Sequence, residues 1–419
     1  MTQEKIALIE AKRIVLGVTG SIAAYKAIDL ASKLTQAGAV VDVITTEAAR
    51  QFVTPLSFQS VTGRPVYTDL WQPDSSGGLP THIAHVGLGE GADLLLIAPA
   101  TANTIAKLAH GLADDLLSVT ALAVRCPVMI APAMDGGMYQ HAATQANLST
   151  LQSRGVQIIE PEVGRFASGL VGQGRLPETP TLLGLVRRRL AQNGLLAGKR
   201  VVVTAGGTKE AIDPVRYITN RSSGKQGYTV TQAALDAGAE VTLISTVDYL
   251  PVPAGAVHIK VGSAAEMLAA VQQAVVNADG LIMAAAVADF RPATVATQKI
   301  KKSDGNQTGL TLELARTDDI LLAVKSIRQQ TGYPRCVVGF AAESHDLLTH
   351  AASKLERKGL NFIVANDITA PDAGFEVETN RITILDEGGG QKSYELLTKA
   401  QVGQVIVEQV AKILIDKSS

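Results

Sequence analysis

The sequence predicts an α/β protein of two doubly wound, parallel-sheet (Rossmann-like) domains in tandem. Three observations carry this. The chain has 419 residues, more than one ordinary hydrophobic core organises. Short continuous apolar runs alternate with amphipathic segments from end to end, as in parallel sheets covered by helices on both faces. Glycine- and hydroxyl-rich loops follow several of the apolar runs, where open α/β sheets bind ligands.

The first set of strands is read at residues 13–17, 40–44, 93–98, 127–131 and 156–159, with helices at 23–36, 101–109 and 140–153. A second set of strands covers 200–203, 240–244, 280–284, 336–340, 362–365 and 382–385. Its helices fall at 228–237, 264–276, 320–329, 347–358 and 400–415. An arginine-rich helix ends near 190 and a new strand begins at Arg200, so the domains are read as 1–193 and 194–419. Segments 164–178 and 299–309 read as mobile loops, the first glycine-rich and the second polar and lysine-rich.

Composition narrows the function. A net charge of −1 leaves no global field for nucleic acid or an anionic membrane. Two cysteines, Cys126 and Cys336, exclude a disulfide framework and fit a reducing cytoplasm. The first residues have no apolar core of signal-peptide length, and the longest apolar runs, such as 281–288, fall far short of a bilayer span. A soluble cytoplasmic enzyme acting on small molecules is expected.

The most informative loop runs from Thr204 to Gly227, between a buried strand and a helix. Gly206, Gly207, Gly224 and Gly227 permit close backbone approach. Ser222, Ser223 and the amides at the helix start can hold a phosphate. Arg216 and Asn220 add a fork-shaped cation and an amide, suited to an anionic substrate. The Walker spacing is absent. In the first half, Thr19, Gly20 and Ser21 follow the first strand, and Pro99-Ala-Thr-Ala-Asn-Thr104 follows the third. Both place hydroxyls at a carboxyl-end crevice without a G-x-G-x-x-G dinucleotide fingerprint. Asp289 stands at the carboxyl-end crevice after the strand at 280–284, Phe340 ends the one at 336–340, and Lys354 and Lys358 share a helix face.

Together these motifs resemble the bifunctional coenzyme A biosynthesis enzymes, phosphopantothenoylcysteine decarboxylase / phosphopantothenate–cysteine ligase, over roughly residues 10–415. The first half resembles the homo-oligomeric flavin-containing cysteine decarboxylases. The resemblance implies FMN, held by Gly20, Ser21, Thr45, Pro99, Thr101 and Asn103. It also implies CTP with Mg²⁺ in the second half, with no protein ligands assigned to the metal. His85, in His85-Val-Gly-Leu-Gly-Glu-Gly-Ala-Asp93, matches the family's catalytic histidine; His82 competes but stands at the wrong distance from Asp93. Imidazole changes charge near neutrality and suits acid–base work. For the ligase, the resemblance assigns Asn220 and Lys299 to catalysis, and Arg216, Ser222, Ser223, Asp289, Phe340, Lys354 and Lys358 to substrates. It further implies trimeric flavin domains and paired ligase domains, hence a closed homo-oligomer, a dodecamer.

Two positions depart from the family pattern. Asp135, in Pro132-Ala-Met-Asp-Gly-Gly-Met138, replaces an amide that contacts the substrate carboxylate. Two carboxylates about 4 Å apart repel by roughly 4 kcal/mol at an effective dielectric near 20. Protonation of Asp135, an intervening cation and a different seat for the substrate carboxylate all remain open. Ser168, in the glycine-rich flap, replaces a cysteine used in the reductive step, and a hydroxyl is a far poorer acid than a thiol of pKa about 8.5. Both are read as catalytic positions. The rival reading is an active ligase whose first half is reduced to a flavin-binding or assembly module.

Overall fold

The computed structural model describes residues 5–71, 84–301, 310–343, 347–367 and 377–416. The chain divides into two compact units, Met1–Leu190 and Ala191–Ser419. Residues just after the division belong with the second unit because they dock on it: the Leu196 amide donates to the Ala237 carbonyl at 2.7 Å.

In the first unit the strands are β1 (Arg13–Val18), β2 (Val40–Thr45), β3 (Val66–Tyr67), β4 (Leu94–Ala100), β5 (Val128–Pro132) and β6 (Gln157–Ile158). They form one parallel sheet in the order β3-β2-β1-β4-β5-β6. The direction of winding reverses between β1 and β4, so a crevice opens at their carboxyl ends. Both are almost wholly buried because helices cover both faces. The helices are α1 (Ala24–Gln36), α2 (Pro55–Thr62), α3 (Ala84–Glu90), α4 (Ala102–His110), α5 (Leu116–Ala123), α6 (Gly136–Gln140), α7 (Ala142–Ser153) and α8 (Thr179–Leu190). Thr101 caps α4 by accepting from the Thr104 amide, and Asp115 with Ser118 forms a capping box on α5.

One expectation holds here and one changes. The helix expected over 140–153 is α7, and a separate short helix, α6, precedes it, the two meeting at His141, whose Nδ1 accepts from the Ala143 amide at 3.2 Å. The loop expected over 164–178 is largely an antiparallel hairpin, β7 (Glu162–Arg165) and β8 (Val171–Arg175). Phe166 supplies the apolar cover that its glycines lack, lying 3.2 Å from where a Cβ would stand on Gly136 or Gly172.

The second unit has an eight-stranded sheet in the order β13-β12-β9-β14-β17-β18-β19-β20. Its members are β9 (Arg200–Ala205), β12 (Glu240–Ser245), β13 (Val257–Lys260), β14 (Gly280–Met283), β17 (Cys336–Glu343), β18 (Phe362–Asp367), β19 (Thr379–Asp386) and β20 (Gln391–Thr398). Two small ribbons, β10 (Lys209–Ala211) with β11 (Tyr217–Thr219) and β15 (Phe290–Pro292) with β16 (Leu314–Arg316), rise from the loops after β9 and β14. The helices are α9 (Lys225–Asp236), α10 (Ala264–Val275), α11 (Ile320–Thr331), α12 (Leu347–Lys358) and α13 (Lys399–Asp416). The sheet is parallel through β18, but β19 and β20 run antiparallel. The turn between those two is too short for a parallel crossover, and Asp386 caps it by accepting from the Gly388 and Gly390 amides at 2.9 and 2.8 Å. Among the described residues no helix is long and apolar enough to cross a membrane. Cys336 is buried in β17 and Cys126 is half-buried before β5.

One charge is locked inside the first sheet. Asp42, on β2, has a fully buried side chain. It accepts from Arg13 Nε at 2.7 Å and Arg64 Nε at 2.8 Å, and Arg13 continues to the Gly87 carbonyl at 2.8 Å, tying β1, β2 and α3. Charge-assisted hydrogen bonds of this kind contribute about 1.5–3 kcal/mol, so Asp42→Ala is expected to destabilise the first unit by about 2 kcal/mol. That corresponds to a fall of roughly 4–8 °C in its unfolding midpoint, read by calorimetry of the full chain.

Candidate functional sites

At the switch between β1 and β4, Thr19 is buried and its hydroxyl is already committed. It donates to the Pro99 carbonyl at 2.8 Å and accepts from the Thr101 amide at 3.0 Å, so Thr19 shapes the crevice and is not left to receive a phosphate. Gly20 is required by packing, since a Cβ there would stand 2.5 Å from Ala48 Cβ. Ser21 accepts from the Ala23 amide at 3.3 Å at the entry to α1. Thr101 caps α4 and Asn103 is exposed on its first turn. Thr45 ends β2 beside them, fully buried, and its Oγ1 has no hydrogen-bond partner. A buried hydroxyl left unpaired is costly unless something supplies the partner.

Beside this crevice is a cavity of about 360 Å³, walled by Ser21, Tyr25 and Lys26 of the α1 entry, Asp135, and the flap residues Arg165 and Ser168 among others. The two departures from the family pattern meet here: Ser168 Oγ donates to Asp135 Oδ2 at 2.9 Å. Asp135 Oδ1 accepts from the Gly137 amide at 3.1 Å, capping α6. The flap stem is anchored separately. Buried Lys26 donates to the Leu176 carbonyl at 3.1 Å and to Glu178 Oε1 at 2.7 Å. Glu160 accepts from Tyr139 and Gln173 at 2.9 and 3.4 Å, and burial together with Glu160 pushes the Tyr139 phenol up to about 12. His85 is half-buried on the first turn of α3 and does not line this cavity within its own chain. His82 lies outside the described residues.

The second unit holds two cavities at the carboxyl ends of its strands, of about 440 and 530 Å³. They share a wall made by Ala285, Val287, Asp289, Phe340 and Lys354. The first is lined by the loop Asn220–Gly224 and by Asn366, Asn380 and Lys399. The second is lined by Thr317–Leu322 with Arg316, Arg357 and Lys358. The local chain geometry explains the first. Gly224 adopts φ 74° at the start of α9, a left-handed conformation that glycine favours. At Gly227 a Cβ would stand 2.8 Å from the Thr204 carbonyl oxygen, so only glycine lets α9 lie this close to β9.

Of the residues singled out from sequence, the structure gathers Asn220, Ser222, Ser223, Asp289, Phe340, Lys354 and Lys358 into this joined trough. Asn220 Nδ2 donates to the Val287 carbonyl at 3.1 Å, and Lys354 Nζ to the Phe340 carbonyl at 2.8 Å. Lys358 pairs with Asp319 at 2.6 Å. Burial pushes the Asp319 carboxyl up, but Lys358 and the Leu322 and Leu321 amides outweigh it and hold the group below the usual range.

Arg216 and Lys299 do not line the trough. Arg216 Nε donates to Asp213 Oδ2 at 3.0 Å, and Nη2 donates to that oxygen and to the Ile300 carbonyl at 2.8 Å. The Arg216 guanidinium is the main cause holding the Asp213 carboxyl well below the usual range. Asp213 also accepts from the Ile300 amide at 3.1 Å, so this pair pins the segment that carries exposed Lys299.

Asn366, Asn380 and Lys399 were not singled out from sequence. Asn366 stood within reach of the same reasoning that found the Thr204 loop, because it lies at the carboxyl end of the strand read at 362–365. It is buried and its Oδ1 has no hydrogen-bond partner. Lys399 is 4% exposed at the start of α13, and burial pushes its ammonium down despite Glu378 nearby.

Residues 3–191 match the Flavoprotein family, and residues 196–414 match the DNA/pantothenate metabolism flavoprotein C-terminal domain. The chain is 45% identical to the coenzyme A biosynthesis bifunctional protein CoaBC of Bacillus subtilis (strain 168) over 409 residues, 97% of this chain and 98% of that one. It is 43% identical to the protein of the same name from Vibrio vulnificus (strain CMCP6) over 403 residues, 96% and 98% of the two chains. A crystal structure of the C-terminal domain of a CoaBC protein is similar to 53% of this chain and 99% of that chain, at 38% identity and a TM-score of 0.45. With near-complete coverage of both relatives and a matching domain in each half, this chain is an enzyme that belongs to the family of coenzyme A biosynthesis bifunctional proteins, CoaBC.

Proposed function

We propose that the second unit joins cysteine to 4′-phosphopantothenate with CTP, and that the first unit decarboxylates the product to 4′-phosphopantetheine with FMN. The observation that carries the ligase reading is the shared wall of the two cavities. Cations stand at both ends of the trough, Lys399 in one cavity and Arg316, Arg357 and Lys358 in the other. Two anionic substrates can therefore lie end to end, with the reacting groups meeting at Asp289, Phe340 and Lys354.

In this reading the substrate carboxylate oxygen attacks the α-phosphorus of CTP, forming an acyl-cytidylate and releasing pyrophosphate. The cysteine amine then attacks the acyl carbon, expelling CMP and losing a proton. Asn220 orients the acyl group, Lys354 meets phosphate charge, and Phe340 offers a face to the base. Lys299 joins this set only if its segment moves from the Asp213–Arg216 clamp, and Arg216 acts there by holding that segment. Among the described residues no group of three His, Cys, Asp or Glu side chains could hold a metal. Mg²⁺ would accordingly be carried chiefly by triphosphate oxygens, with Asp289 the carboxylate bordering both cavities.

The first unit fits FMN at the β1–β4 crevice, where the unpaired Thr45 hydroxyl offers a hydrogen bond beside Ser21 and Thr101. Held there, FMN would supply reversible two-electron redox chemistry with no net oxidation of the substrate. The flap excludes water, Asp135 and Ser168 border the substrate, and His85 exchanges a proton with it. Because His85 does not line the cavity of its own chain, a homo-oligomer of flavin units belongs to this reading. Ile22 and Tyr25, 62% and 60% exposed beside that cavity, supply apolar contact surface for such an assembly, with a dodecamer as the expected closed form. Action in the cytoplasm follows from the substrates proposed.

Three outcomes test this. The purified chain, given CTP, Mg²⁺, 4′-phosphopantothenate and cysteine, is expected to yield 4′-phosphopantetheine by mass spectrometry; accumulation of phosphopantothenoylcysteine with no CO2 release would favour the assembly-module reading. His85→Asn is expected to stop CO2 release and leave pyrophosphate release unchanged. Lys354→Met is expected to raise KM for CTP at least tenfold, as loss of a charge-assisted contact implies; an unchanged KM would remove Lys354 from the nucleotide site.

A further inference from the structure

We infer that Arg165 is the cation that holds the substrate carboxylate in the flap cavity, the role that Asp135 cannot fill as an anion. This rests on reading the cavity as the decarboxylase site.

The charges around the cavity decide it. Three cations line it: Lys26, Arg165 and Arg175. Lys26 is buried and spent on Glu178 and the Leu176 carbonyl. Arg175 also faces Glu178, at 3.5 Å. Arg165 has no acceptor or ion partner among the described residues. Its position is the useful one. It stands at the end of β7, three residues before Ser168, and its Nη2 would lie 3.9 Å from a Cβ built on Gly169. Its free guanidinium therefore lies at the flap tip, near the residue after the hydroxyl that reaches Asp135.

Asp135 is occupied on both oxygens, one by the Ser168 hydroxyl and one by the Gly137 amide. Both partners donate to it, so neither oxygen is free to meet a further group. A substrate carboxylate brought against it would be repelled. Against Arg165 it would gain a paired, charge-assisted contact, since a guanidinium presents parallel N–H donors to a carboxylate. The Ser168–Asp135 bond then has a second effect: by holding the flap tip down, it holds Arg165 over the cavity. Ser168 acts as a positioning residue for Arg165. The specificity that follows is for a ligand with a free α-carboxylate, and the selectivity should vanish for the decarboxylated product.

The test compares two ligands by isothermal titration calorimetry on the full-length chain carrying His85→Asn throughout, so that the acid is bound without release of CO2. Phosphopantothenoylcysteine carries the carboxylate, and 4′-phosphopantetheine differs by lacking it. Arg165→Met is expected to weaken the acid roughly 10- to 100-fold, the range for hydrogen bonds to charged groups, and to leave 4′-phosphopantetheine within about twofold. Arg165→Lys keeps the charge and should restore part of the loss. Asp135→Asn should tighten the acid alone. Equal weakening of both ligands by Arg165→Met, or no weakening of either, would overturn the inference while leaving the cavity's assignment intact. Failure of the His85→Asn chain, with Arg165 in place, to bind the acid at all would remove that assignment, and the inference with it.

Discussion

Both units depend on threonine hydroxyls that stitch two loops together across a switch point. In the first, Thr19 after β1 is bonded to the Pro99 carbonyl and the Thr101 amide after β4. In the second, Thr204 Oγ1 on β9 accepts from the Ala285 amide at 3.1 Å, and Thr208 Oγ1 from the Ala288 amide at 2.9 Å, both beyond β14. All three threonines are essentially buried. The winding direction reverses between these strand pairs, so their loops diverge and the backbone groups at the split lose their ladder partners. A short hydroxyl side chain satisfies those groups without filling the crevice. Each such bond contributes about 1 kcal/mol, and leaving its buried partner unpaired costs about 1–3 kcal/mol. The crevices at both switch points exist because these seams close.

The main strands were legible in the sequence because parallel strands buried on both faces are written as unbroken apolar runs, such as Leu94–Ala98 and Val201–Val203. The flap was not legible as strand, because its stability comes from Phe166 lying on distant Gly136, a contact without sequence periodicity. The antiparallel edge strand β20 was missed for a related reason: it is mostly exposed and carries no apolar run. The loops that line the cavities were legible because glycine and hydroxyl residues concentrate at strand ends. What sequence could not say was which polar side chains were already taken. Arg216 and Lys358 look like free cations in a string of letters, yet Arg216 is paired with Asp213 three residues before it and Lys358 with Asp319 from a distant turn of chain. Asp135 and Ser168, 33 residues apart, read as two separate replacements and turn out to be one hydrogen-bonded pair.

That pair changes how the two replacements are to be understood. An aspartate alone at 135 would add an unshielded negative charge to a cavity proposed to receive a carboxylate. A serine alone at 168 would remove a thiol and return nothing. Together the acceptor and the donor satisfy each other, and the flap gains a fixed tip to go with its fixed stem at Lys26. Neither change can be judged singly, because contacting residues do not contribute additively.

The same flap has a chemical consequence through the sulfur it lacks. With serine at 168, the chain's only thiols are Cys336, buried in β17, and Cys126. Burial is the leading cause that pushes the Cys126 thiol up, away from the reactive thiolate. An electrophile that requires a thiol therefore finds no nucleophile at position 168, so a covalent inhibitor directed to a thiol at this point of the flap would leave this chain unlabelled there.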